Sequence, residues 1–156
     1  VRLFSEFDVF TKSELESRAE IKYENYSKAI NIEAKTMIDI ATKQIIPAVI
    51  KYTSVLADSV NSVKAAGEGL VEVSVQMDLL KKTSKLLKST NSAMSKLSKV
   101  VDRICEYEEG RDRAVYCKEK IVPAMEALRE PVDELEMIVD KDMWPMPSYG
   151  DMIFEV

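Results

Sequence analysis

A chain of 156 residues, 46% hydrophobic and 31% charged, has the length and balance of one folded domain rather than a disordered segment. Its formal charge of -5 gives no general attraction to nucleic acid or to an anionic membrane, and no apolar run reaches the length of a membrane span. Histidine is absent, which removes the commonest metal ligand and acid–base group together, and four glycines are too few for a turn-rich β or α/β fold.

Residues 1–10 form an aromatic lead-in with Leu3, Phe4, Phe7, Val9 and Phe10. Thr11 reads as an N-cap, with Glu14 completing a capping box and Phe10 placed as a staple onto Leu15. The first helix is expected over residues 11–66. Ile30, Ala34, Met37, Ile38, Ala41, Ile45, Val49, Tyr52, Leu56, Val60 and Val63 recur at helical steps along it. A helix of that length spans about 80 Å, so other helices must fold back along it. Pro47 removes one hydrogen bond and predicts a kink rather than a stop, because the apolar period continues beyond it. Gly67 and Gly69 end the helix in a turn.

The second helix is expected over 70–109. Its doubled stripe (Leu79 and Leu80, Leu86 and Leu87, Ala93 and Met94, Leu97, Val100 and Val101, Ile104) predicts contact with two partners. Gly110 ends it. The third helix is expected over 111–140, interrupted by Pro123 and Pro131, and residues 141–156 as an extended tail in which Met152, Ile153 and Phe154 can form a strand. The fold expected is an all-α, elongated, antiparallel bundle of three long helices within one domain, the second helix central. In the register set by the turns, Lys81, Lys82, Lys85, Lys88, Lys96 and Lys99 face Glu126, Glu130, Asp133, Glu134, Glu136, Asp140 and Asp142, which selects orientation more than it stabilises. KQIIPAV (43–49) echoes EKIVPAM (119–125), and the two prolines fall close enough for a shared bend.

Few constellations carry chemistry. A di-metal site on facing helices needs Glu-x-x-His, and there is no histidine. The lysine stretch could meet phosphates, but the acidic stretch opposite offsets it. Cys105 and Cys117 flank the second turn; both lie on apolar stripes, which favours packing over a bridge and fits a reducing, cytoplasmic setting. Arg18, Arg103, Arg111, Arg113 and Arg129 do not converge on one pocket, and no phosphate loop or nucleophile–base pair is present.

Two stretches stand above this background: ENYSKAINIEAKTMIDIATKQIIPAV (24–49) and WPMPSYGDMIFEV (144–156). Glu24-Asn25-Tyr26, Ile30-Asn31-Ile32-Glu33-Ala34, Thr36-Met37, Pro47-Ala48-Val49, Trp144-Pro145, Pro147, Tyr149-Gly150-Asp151 and Phe154 resemble the C-terminal region of type III glutamine synthetases, the large bacterial form of that enzyme. The resemblance covers nearly the whole chain, and the absence of an initiator Met before Val1 fits an excised piece. It implies a non-catalytic helical domain of an enzyme of nitrogen metabolism. The parent would ligate ammonia to glutamate with ATP and Mg, its metal carboxylates and nucleotide loops lying outside this segment. No cofactor is expected here. The implied partners are the catalytic core of the same polypeptide and neighbouring subunits of a homo-oligomer, with no nucleic acid and no membrane. Asn25, Asn31, Glu33, Trp144, Pro145, Tyr149, Asp151 and Phe154 become the candidate contacts. A self-standing coiled-coil interaction module is the other reading of the same helices.

Overall fold

A computed structural model describes residues 9–67, 71–147 and 149–154, with side chains described for these except Tyr149 and Gly150. The aromatic residues before Val9, and Leu70 at the expected start of the second helix, lie outside the described residues. Among the described residues the chain is helical and forms no strand. Three long helices follow one another. The first comprises α1 (Lys12–Ile40), a π-helical turn (Ala41–Ile45) and α2 (Ile46–Ala66). The second is α3 (Ser74–Asp102), closed by a 3-10 turn (Arg103–Glu106). The third comprises α4 (Arg111–Tyr116), a second π-helical turn (Cys117–Ile121) and α5 (Val122–Glu136). A short α6 (Tyr149–Phe154) ends the described chain. The second long helix packs against both others, through α2 on one side and α5 on the other.

The start of α1 is fixed locally. Thr11 accepts the Glu14 N–H at 3.3 Å, and the Glu14 carboxylate accepts the Thr11 N–H at 2.8 Å. The Thr11 N–H and, next, the Thr11 hydroxyl, which donates to the same carboxylate at 2.8 Å, hold the Glu14 carboxyl below its usual range. Phe10 meets Arg18, whose guanidinium sits 4.5 Å above the ring.

The helix runs through Pro47 without a break, and the π-helical turn accounts for this. A regular helix would press the proline ring on the carbonyl four residues back and waste that acceptor. Instead Ile46 N–H donates to the Ala41 carbonyl, five residues back, so the turn before the proline is widened. The third helix repeats the device: Val122 N–H donates to the Cys117 carbonyl just before Pro123. The echoed sequences thus encode the same irregularity twice, but not a shared bend. Ser27 lies beside Cys117 and Glu20 lies against Gly110, an offset of 90 residues in both contacts. Pro123 therefore stands beside Glu33, about 14 residues and roughly 20 Å short of Pro47.

Three further expectations are corrected. Pro131 does not interrupt α5, which passes through it with Pro131 buried. The carbonyl it orphans belongs to exposed Ala127, which can turn to water. The third helix stops at Glu136, not Asp140, and the tail is neither extended nor a strand. A lone strand there has no ladder to satisfy its backbone, whereas a short helix supplies its own bonds. The opposed charges do share a groove, with Lys82 and Lys85 across from Glu130 and Glu134. Among the described residues they form no cross-helix bridge. The pairs near them are local, Lys81–Asp78 and Arg129–Asp133, both at 3.7 Å.

The core divides into two clusters. One gathers Ala34, Ala41, Leu97, Val101, Ile104, Tyr116, Cys117, Ile121 and Leu128; the other Ile45, Val49, Leu135 and Val139. Thr83 and Thr90 are as buried as any leucine. Each satisfies its hydroxyl by donating to the carbonyl four residues back, Leu79 at 2.8 Å and Leu86 at 3.0 Å.

Candidate docking surfaces

Besides the charged groove between the second and third helices, two concavities and one exposed helix face stand out among the described residues. The first concavity lies at the turn between the second and third helices. Gly110 adopts φ 94°, a backbone state that side chains rarely enter, and a Cβ there would collide with Glu20 Oε2. Arg113 clamps the turn, donating to the Tyr107 carbonyl at 3.2 and 2.9 Å and to Glu109 at 3.0 Å. Tyr107 stacks on Tyr116 at 4.0 Å, and the Tyr116 hydroxyl donates to the Val100 carbonyl at 2.8 Å. Burial raises the Tyr116 pKa. Burial also pushes the Cys117 thiol up, partly offset by its hydrogen bond with Ser27. Cys105 is free and exposed, so the expectation that both cysteines pack holds for Cys117 alone: at Cys105 the chain has already passed into the 3-10 turn, which rotates it off the buried stripe. A notch of about 90 Å³ lies among Glu24, Ser27, Asn31, Cys105, Glu109 and Arg113. That is room for a few waters, and Asn31 Oδ1 is buried beside it without a partner.

The second concavity is built by the tail. Asp140 turns the chain: its carboxylate accepts the Asp142 N–H at 2.8 Å and its carbonyl the Trp144 N–H at 2.9 Å. Trp144 then packs on the Ile45, Val49, Leu135 and Val139 cluster. The tail therefore folds back beside the first and third helices. On the hairpin of α2 and α3, Leu56 and Val60 are buried. Lys141 bridges Asp151 at 3.1 Å across this reversal. Between tail and bundle lies a groove of about 470 Å³, walled by Met37, Ile40, Val132, Trp144, Met146 and Met152. Trp144 Nε1 is buried and has no hydrogen-bond partner.

The exposed face is on α1. Ile21, Asn25 and Ile32 fall on one helical stripe, turned away from buried Ser27 and Ala34, with Ile21 55% and Ile32 64% exposed. Of the candidate contacts, Asn25 and Glu33 are exposed on this helix while Asn31 turns toward the notch. Trp144 and Asp151 belong to the tail reversal, Pro145 is exposed beside it, Tyr149 opens α6, and Phe154 is 80% exposed. The structure thus sorts the eight into two groups on different parts of the rod, not one site. Among the described residues no three His, Cys, Asp or Glu side chains gather as a metal-ligand set, and no helix is long and apolar enough to cross a membrane. The arginines stay dispersed: Arg18, Arg103, Arg113 and Arg129 each have a local partner.

Residues 1–64, nearly all of the first long helix, match the family described as the glutamine synthetase C-terminal domain. The whole chain aligns with the type-3 glutamine synthetase of Dictyostelium discoideum at 30% identity, covering 99% of this chain and 21% of that protein. The chain is similar to the C-terminal part of glutamine synthetases. A glutamine synthetase of Butyrivibrio fibrisolvens is likewise 30% identical over all of this chain and 22% of its own length, and one from Bacteroides fragilis 25% identical over 94% and 20%. The chain spans about a fifth of the length of the curated relatives it matches. The Dictyostelium relative extends the type-3 form beyond the bacteria to which the resemblance had assigned it.

Proposed function

We propose that this chain is a non-catalytic helical domain of a type-3 glutamine synthetase and that it works by docking. The parent joins ammonia to glutamate using ATP and Mg bound elsewhere in the polypeptide, in the cytoplasm. The domain buttresses the catalytic part and contributes to assembly of a homo-oligomer. The observation that carries the reading is end-to-end alignment of this chain with only a fifth of each relative. The exposed Ile21–Asn25–Ile32 stripe supports it, because exposed isoleucines at helical spacing suit a partner surface better than water.

Calorimetric titration of Mg-ATP into the isolated chain tests the non-catalytic part of this reading. The expected result is no stoichiometric heat. Stoichiometric binding at micromolar concentration would overturn it.

A further inference from the structure

The tail groove is unfinished in a way that specifies an occupant. Its walls are apolar, from Met37, Ile40, Val132 and Trp144, with Met146 and Met152 on the tail side. Its rim carries Arg129, Asp133 and Glu136, and Arg129 already bridges Asp133 at 3.7 Å, which leaves the rim acidic. The tail closes only loosely: Met152, Ile153 and Phe154 stay exposed at its end. Trp144 Nε1 is shut away from water and donates to nothing. A buried donor without an acceptor is a standing cost, relieved by any rearrangement that brings a carbonyl to it. The fold-back therefore leaves an unmet donor beside an open groove.

We infer that this groove receives an apolar segment from outside residues 1–156 of the same polypeptide, flanked by Lys or Arg and presenting a backbone carbonyl to Trp144. The inference rests on the proposed parent. About four-fifths of the length of the matched relatives lies outside the aligned segment, so such a segment is available in cis at high effective concentration. Apolar walls take its side chains, the acidic rim takes the flanking cation, and the carbonyl satisfies the indole. A small outward swing of the tail admits it, and Ile153 and Phe154 then close over it instead of facing water.

Photo-crosslinking in the intact native polypeptide tests this. A benzophenone side chain replaces Met152, which is exposed enough to accept it without disturbing the core. The expected product joins position 152 to a basic-flanked apolar segment outside residues 1–156, and Glu136→Lys should cut its yield at least fivefold. Crosslinks confined to Met37 and Ile40, crosslinks to the tail of a second copy, or none at all would overturn the groove proposal and leave the parent reading intact. A native polypeptide with the mass of residues 1–156 alone would overturn both.

Discussion

Replacing Trp144, the chain's only tryptophan, separates what the ring contributes from what its N–H costs. The ring is mostly buried against Ile45, Val49, Leu135 and Val139. An aromatic side chain in such a place takes roughly 150 Å² out of water, which contributes about 4 kcal/mol at 25 cal/mol per Å². Against this stands the unpartnered Nε1, a penalty of about 1–3 kcal/mol. Trp144→Ala should then cost about 1–3 kcal/mol, below the roughly 3–5 kcal/mol of a sealed, fully satisfied aromatic. Trp144→Phe keeps most of the ring and removes the orphan donor, so it should lie within about 1 kcal/mol of the parent chain or stabilise it. Urea unfolding followed by helical circular dichroism reads both variants without needing the tryptophan. If Trp144→Phe lost as much as Trp144→Ala, the indole N–H would have to be paired, and the argument for an acceptor brought to it would fail.

Leu135 is fully buried at the junction of α2, α5 and the tail, so Leu135→Ala should cost about 2–5 kcal/mol in the same unfolding assay. Gly110→Ala should cost about 1–3 kcal/mol because φ 94° with ψ -136° is a glycine conformation. Adding Glu20→Ala should recover little of that, since the collision is with a movable side chain and the strain is in the backbone. The raised pKa values of Cys117 and Tyr116 make the folded state hold its protons longer than the unfolded chain. Their contribution is fully present below the unfolded values near 9 and 10, and is lost as pH rises through the higher folded values. Chemical denaturation between neutral and strongly alkaline pH should show stability falling over that window, and Cys117→Ala should flatten its lower part. Iodoacetamide should label Cys105 in the native chain and Cys117 only on unfolding.

What the sequence disclosed follows from which forces are local. Thr11, Glu14 and the long apolar period placed the first helix almost to the residue, because capping and periodicity act within a few turns. The π-helical turns were hidden. Only the repeated spacing before Pro47 and Pro123 hinted at a common irregularity, and the hint was misread as a shared bend because the register of distant helices is set by packing at Gly110 and Ser27. Thr83 and Thr90 looked polar, yet back-bonding to the preceding turn lets them fill the core. The tail defeated the sequence reading most. Its prolines correctly excluded a continued helix, but where Trp144 lands depends on a surface completed by Ile45 and Val49, nearly a hundred positions away. The carboxylate of Asp140, followed by a turn, was the one local sign of the reversal. The groove has no linear signature, since its walls come from three segments.

Association of residues 1–156 with the separately expressed remainder of the parent polypeptide tests the docking role most directly. Sedimentation velocity of the mixture should show the two moving together, and Ile21→Asp with Ile32→Asp should abolish this while leaving the helical content of the chain unchanged. Independent sedimentation of the two wild-type parts, or association indifferent to both substitutions, would contradict the account.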